Sequence, residues 1–185
     1  ISEGKIAGEF RPNVAPSCEA AVIGADAVLI ALPANGHKHV MDAMAPLLSP
    51  GQPVIISSHA SLGAFYLSRL LTARGVEVPI IALSTTILRS RRTGPNTVKI
   101  ATIRSKVDIA TLPRRLADQG LDLCRTLFGD RFRAVDGLLA VSLSNVNPQS
   151  HMALALANFT RMEKGEAWGQ SENLTMAVGR LLEAI

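Results

Sequence analysis

Asp26-Ala27-Val28-Leu29-Ile30-Ala31-Leu32-Pro33-Ala34 holds an unbroken apolar run over residues 27–32 that stops at Pro33. A run of this length without polar alternation predicts a strand buried on both faces. Residues 36–48 follow with helical spacing through Val40, Met44 and Leu47, and Pro50-Gly51 ends that pattern. The alternation continues. Val54-Ile55-Ile56-Ser57 predicts a second buried strand. Residues 61–74 predict a helix with Leu62, Phe65, Leu67, Leu70 and Leu71 apolar and Gly75 just past its end. Pro79-Ile80-Ile81-Ala82-Leu83 predicts a third strand. Buried strands alternating with helices place the chain in the α/β class with a parallel sheet.

The pattern then changes. Residues 97–103 and 107–111 read as strands, 113–128 as a helix and 132–136 as a short strand-like stretch. From Gly137 onward the pattern is helical, over residues 138–145, 148–163 and 174–185, with a loop over 165–173. The expected organisation is an α/β domain over residues 1–133 and the start of an all-helical domain over 134–185.

A chain of 185 residues that is 48% hydrophobic can bury a sizeable core, and with 4% aromatic residues that core must be built from Ala, Val, Ile and Leu. Lys and Arg exceed Asp and Glu by four, an excess that suits small anionic ligands and is too slight for nucleic acid. The basic stretch Arg89, Arg91, Arg92, Lys99, Arg104 and Lys106 has no interleaved aromatics to stack on bases, and Thr93-Gly94-Pro95-Asn96 within it is a turn signal. It reads as a solvated rim around an anionic substrate or as plain surface. Cys18 and Cys124 form no motif, so a reduced cytoplasm is the default compartment. No secretory signal or membrane span is expected, because Gly24 and Asp26 interrupt the most apolar segment. The chain opens on Ile and stops inside a helical pattern, which suggests a piece of a longer protein.

In an open parallel sheet, ligands bind beyond the carboxyl ends of the strands. Two loops lie there: Leu32-Pro33-Ala34-Asn35-Gly36-His37 and Ser57-Ser58-His59-Ala60-Ser61. Both put small or polar residues at a helix N-terminus, where free N–H groups favour anions. Asn35, Ser58 and Ser61 equally read as helix caps. His37 and His39 stand two apart, a spacing that does not share a helix face, and no Cys or acidic residue has ligand spacing, so no metal is expected. Ser58-His59-Ala60-Ser61 is not the Gly-x-Ser-x-Gly elbow of a serine hydrolase.

Ser142-Leu143-Ser144-Asn145-Val146-Asn147-Pro148-Gln149-Ser150-His151 sets two asparagines and an imidazole in an otherwise apolar run. Asn147-Pro148 is a helix-start signal and puts His151 in the first turn. The positive end of the helix dipole disfavours imidazolium there, which makes His151 a candidate general acid/base. The alternative is a hydrogen-bonded structural histidine with the Asn residues as caps.

At these residues the chain resembles the octopine/nopaline (opine) dehydrogenase family. The segment from Asp26 to Ala34 with His37 is similar to that family's fourth Rossmann strand and the loop after it. Arg89 through Gly94-Pro95, Val98-Lys99-Ile100 and Lys106 is similar to the segment before its interdomain junction. Leu143 to His151, followed by Asn158 and Arg161-Met162-Glu163-Lys164-Gly165, looks like the opening of its helical substrate domain and is the most specific of the three. The resemblance implies a partial Rossmann-type domain that binds NAD or NADP through Leu32, Pro33, Ala34, His37 and Ser58. It implies NAD(P)H-dependent reductive condensation of an amino acid with a 2-oxo acid. His151 would be the catalytic histidine, with Asn145 and Asn147 beside it at the substrate. The family's glycine-rich phosphate loop would precede Ile1, and its acidic partner for the histidine would lie further downstream. A ketopantoate or hydroxy-acid reductase and a short non-catalytic binding module, with a homodimer among its open assemblies, are the competing expectations.

Overall fold

The computed structural model describes residues 1–58, 62–144, 147–166 and 175–184; of residues 147–149 and 182 it describes the backbone alone. In chain order the elements are β1 (Ser2–Gly4), α1 (Cys18–Val22), β2 (Val28–Ile30), α2 (Ala34–Met44), β3 (Val54–Ile56), α3 (Gly63–Ala73), β4 (Ile80–Leu83), β5 (Leu88–Gly94), β6 (Thr97–Ile103) and β7 (Val107–Leu112). A 3-10 turn at Arg114–Leu116 leads into α4 (Ala117–Phe128), then β8 (Phe132–Ala134), α5 (Gly137–Leu143), α6 (Asn147–Ala157), α7 (Phe159–Glu163) and α8 (Met176–Glu183).

The main sheet has the order β2-β3-β4-β7-β8. β2, β3 and β4 run parallel, with Val28 beside Val54 and Val54 beside Ile80. Every residue of β3 and β4 is buried, as expected for strands covered on both faces. Their alternation sorts the core into two layers. Val54, Ile56, Ile80 and Ala82 pack with Met41 and Met44 of α2, Leu67 and Leu71 of α3, and Leu138 and Val141 of α5. Ile55, Ile81 and Leu83 point the other way, into a layer with Ile109, Cys124 of α4 and Phe132.

The sheet is mixed rather than wholly parallel, because β7 runs antiparallel to β4, with Ile81 beside Thr111. No crossover helix follows β4. The chain instead leaves as the β5–β6 hairpin and returns, so the next strand enters in the opposite sense. β5 had been expected as a basic surface stretch. It is an edge strand of a separate three-stranded sheet, β1-β6-β5, with Arg89, Arg91 and Arg92 exposed along it. Pro95-Asn96 makes the turn, and Arg92 donates to the Gly94 and Pro95 carbonyls at 3.0 and 2.7 Å.

Local chemistry sets the helix ends. α3 closes as the sequence predicts. Gly75 has φ of 66°, its N–H bonds Thr72, and the Val76 N–H bonds Leu71, the paired closure of a glycine C-cap. Phe65 and Leu62, expected on the apolar face of α3, are each 41% exposed, and Ala64, Leu67 and Leu71 form the buried stripe. α1, which sequence patterning did not reveal, is capped by Ser17 Oγ on the Ala20 N–H. Gln52 fixes it: its buried amide donates to the Val22 and Ala25 carbonyls, both at 2.8 Å, and accepts from the Ser49 N–H. All its groups are satisfied, so burying it carries no desolvation penalty left unmet.

The chain divides into two compact units, Ile1–Ser144 and Asn145–Ile185. α5 belongs to the first, through Leu138 and Val141 in the sheet's core, so that unit runs ten residues beyond the change of pattern at residue 134. In the second unit Ala153, Leu154 and Val178 form a small core. One helix was expected over residues 148–163. α6 and α7 divide it at Asn158, whose buried side-chain amide donates to the Leu154 carbonyl.

Two consequences of this packing are measurable. A Cβ built on Gly120 of α4 would lie 2.3 Å from Thr111 Oγ1 and 3.1 Å from Ile81 Cγ1. Gly120→Ala is therefore expected to destabilise the protein by about 1–3 kcal/mol, and Thr111→Ala in the same chain to recover part of that loss in urea denaturation. Between α2 and α3, Lys38 Nζ lies 2.7 Å from Asp42 Oδ2 and the Tyr66 hydroxyl donates to Asp42 Oδ1. The hydrogen bond from Lys38, then that from Tyr66, holds the Asp42 carboxyl below its ordinary range, and the bond to Asp42 raises Lys38. A depressed carboxyl contributes stability above its unfolded pKa and loses it as pH falls through the folded value; the raised ammonium loses its share as pH rises through its own. The stability gap between the native chain and Asp42→Asn should hold near neutrality and close on acidification.

Candidate functional site

A cleft of about 380 Å³ lies at the carboxyl ends of β2 and β3, lined by Ala31, Leu32, Pro33, Ala34, Ser57, Ser58 and Thr86. The Ser57 N–H donates to the Ile30 carbonyl at 3.0 Å and ties the two strand ends together. Pro33 stands at the N-cap of α2 and brings no side-chain acceptor. The first N–H groups of that helix therefore keep no capping partner from Pro33, and the positive end of the dipole meets the cleft at Ala34. Thr86 comes from the loop after β4. Its hydroxyl donates to the Leu88 carbonyl, and Arg104 Nε holds the Thr86 carbonyl at 3.0 Å. A second hollow, about 560 Å³ and mostly apolar, shares Ala31, Ser57 and Thr86 and adds Leu29, Ile87 and Phe128 among its walls. The two adjoin through these shared residues, and both are walled mostly by apolar surface.

Of the residues expected at a cofactor, Leu32, Pro33, Ala34 and Ser58 all line this cleft. His37 does not. Its ring is 5% exposed, and Nε2 sits 2.9 Å from the Leu32 carbonyl. It borders a different hollow of about 400 Å³, with Asn35 and Lys38 of α2 and Gly63 and Tyr66 of α3. Asn35 is not a cap, because α2 starts at Ala34 and Asn35 is already inside it. His59, Ala60 and Ser61 lie outside the described residues. α3 starts after Leu62, a non-glycine residue at φ of 63° with no side-chain cap.

His151 lies in the second unit, exposed, as the fifth residue of α6. The helix begins at Asn147, so His151 stands past the first turn, where the field of the helix end has already faded. Asn145 and the side chain of Asn147 lie outside the described residues. Ser57 opens the second loop picked out from sequence, whereas Ala31 and Thr86 lie outside both loops. Thr86 follows the third predicted strand, and the rule that picked the loops after the first two strands would have found it.

Other groups do not converge on the cleft. Cys124 is fully buried, and burial pushes its thiol up to about 11, which makes it no nucleophile near neutrality. Among the described residues no group of three or more His, Cys, Asp or Glu is placed to hold a metal, and no helix is long and apolar enough to cross a membrane. What the arrangement offers is a largely apolar wall beside a helix N-terminus at strand ends, the setting in which α/β sheets hold nucleotide phosphates.

No family model matches the chain. Over its whole length it aligns at 32% identity, across 189 residues, with an opine dehydrogenase of Arthrobacter sp. (strain 1C), covering 52% of that protein. It thus spans about half the length of the curated relative it matches. Among solved structures, an octopine dehydrogenase in complex with NADH and agmatine shares the fold at TM-score 0.66 and 19% identity, over 82% of this chain and 38% of that one. NADP+-bound yersinopine dehydrogenase does so at TM-score 0.62 and 21% identity, over 75% and 34%. A 2-dehydropantoate 2-reductase from Geobacter metallireducens GS-15 follows at TM-score 0.52 and 19% identity, over 74% and 43%. The chain is thus similar in sequence, along all of its length, to one opine dehydrogenase, and over most of its length it shares a Rossmann-like α/β fold with the solved octopine dehydrogenases.

Proposed function

We propose that the whole protein is a cytoplasmic NAD(P)H-dependent opine dehydrogenase. Its substrates are an amino acid and a 2-oxo acid. The amine nitrogen attacks the 2-oxo carbon, water leaves, and the resulting imine is reduced to a secondary amine dicarboxylate. The observation that carries this reading is the cleft of Leu32, Pro33, Ala34, Ser57, Ser58 and Thr86 at the strand ends, in a chain that aligns throughout with an opine dehydrogenase. NADH and NADP+ in the octopine and yersinopine dehydrogenase structures support the choice of cofactor class. In this reading the unit Ile1–Ser144 is the later part of a dinucleotide-binding domain, and the unit Asn145–Ile185 begins the helical substrate domain.

Bound NAD(P)H supplies the hydride. The residues of this chain do the rest. The backbone and small side chains of Leu32, Pro33 and Ala34 form a wall against which a flat ring can lie, and Ser58 offers a hydroxyl at its edge. The uncapped start of α2 favours negative charge. His151 exchanges a proton at the substrate's reacting centre, with Asn145 and Asn147 orienting its polar groups.

The 2-dehydropantoate reductase likeness favours a second reading, reduction of a 2-oxo acid alone. Substrate dependence separates the two. Loss of nicotinamide absorbance should require both an amino acid and a 2-oxo acid; oxidation with the oxo acid alone would select the simpler reductase, and none with either set would reject the dehydrogenase. His151→Ala should lower turnover by about 10²–10⁴-fold while leaving the NAD(P)H dissociation constant near the native value. Loss of cofactor binding in that variant would instead move His151 to the dinucleotide.

A further inference from the structure

We infer that His37 is a positioning residue for the cofactor cleft: its Nε2–H holds the Leu32 carbonyl and so fixes the Leu32-Pro33-Ala34 wall without touching the cofactor. The inference rests on the reading of that cleft as the NAD(P)H site.

The turn between β2 and α2 is short of its own fastenings. Pro33 has no N–H to donate, and no side chain caps α2 at that position. Gly36 N–H bonds the Pro33 carbonyl, which leaves the Leu32 carbonyl to find another donor. Among the described residues that donor is His37 Nε2, at 2.9 Å, reaching back five positions. A carbonyl oxygen only accepts, so Nε2 must carry the proton, and in the neutral ring Nδ1 is left as the acceptor. His37 is 5% exposed and Leu32 43%, so the donor side of the bond is sheltered while the acceptor side opens toward water. Removing the donor leaves the carbonyl to water, which satisfies it without fixing the turn.

The ring also stands against the second strand-end segment. A Cβ on Gly63, the first residue of α3, would lie 3.8 Å from His37 Nδ1 and 3.5 Å from Met41 Cε. The Nδ1 edge of the imidazole thus lies near the start of α3, and its Nε2 edge meets the turn after β2. Ala34 borders both the cleft and the hollow that His37 lines, so a shift of this ring is transmitted to the cleft wall through a single residue.

The test uses two amides that differ in reach. A Gln side chain can place its Nε2 where the imidazole Nε2 stands, whereas the Asn amide ends at the Nδ1 level, one bond too short for Leu32. In the full-length protein, His37→Asn should weaken NAD(P)H binding about 5- to 10-fold, read by nucleotide fluorescence. His37→Gln should stay within about twofold of the native protein, and kcat at saturating cofactor should change little in either. Equal weakening by Gln and Asn would reduce His37 to a packing residue, and native-like binding by both would remove any role; each overturns the inference. A measurement without cofactor covers a variant that fails to fold. Nitrogen NMR of the native protein should show His37 protonated at Nε2, with Nδ1 as the bare ring nitrogen, and the opposite tautomer would overturn the inference. If the native protein binds neither nucleotide while the tautomer is as expected, the cofactor reading fails, and the positioning role goes with it although the hydrogen bond stands.

Discussion

Burial of β3 and β4 on both faces is the constraint from which the first unit follows. All seven positions of the two strands, Val54 to Ile56 and Ile80 to Leu83, are buried from water. Strands of that kind demand cover above and below, and the chain supplies it by sending α2, α3 and α5 to one side and α4 to the other. The cover on the α4 side is tight enough to forbid a methyl group at Gly120. With few aromatic residues, the layers interlock through Ile, Leu, Val and Met, and close approach of helix to sheet takes the place of large rings.

The cleft is a by-product of this layering. Parallel strands end together on one side of the sheet, and the loops that leave them must diverge to reach the helices. The divergence of residues 31–34 from residues 57–58 opens a hollow, and the Ser57–Ile30 hydrogen bond sets its floor. Most of the lining is small: Ala31, Pro33, Ala34, Ser57 and Ser58, with Leu32 and Thr86 as the larger side chains. The polar groups at the site are the hydroxyls of Ser57, Ser58 and Thr86 and the backbone at the start of α2.

The elements that sequence patterning revealed are those whose signal is burial itself. β2, β3 and β4 stand where unbroken apolar runs placed them, and Gly75 marks the end of α3 through its positive φ. Four of the five residues expected along the cofactor line the cleft, because strand ends fix the loops after them. The rest depended on long-range contacts. β5 is rich in arginine, and its strand character comes from pairing with β6, not from its own composition. The direction of β7 depends on the route taken by the hairpin before it. α1 is five residues long, stabilised by Ser17 and by Gln52, which lies 30 residues away from Val22. Asn158 stands between α6 and α7 and bonds back to Leu154 of α6, a contact that no period in the sequence announces. His37 was legible as a residue of the loop, but the carbonyl it serves was not, since one buried ring nitrogen leaves no trace in spacing.

The β5 edge has a further consequence. Arg91 stands directly across from Lys99, and Arg89 and Arg92 flank it along the outer strand. Like charges set side by side on a ladder weaken the pairing that holds them. They also repel any second strand that would add to the exposed row of backbone groups, since two such margins cannot approach without crowding cations together. The hairpin thereby trades some of its own cohesion for colloidal protection. Because that protection is Coulombic, its range contracts as ions accumulate, to about 8 Å near physiological ionic strength and about 3 Å in molar salt. The margin that keeps molecules apart in dilute buffer is thus the one that brine disarms first.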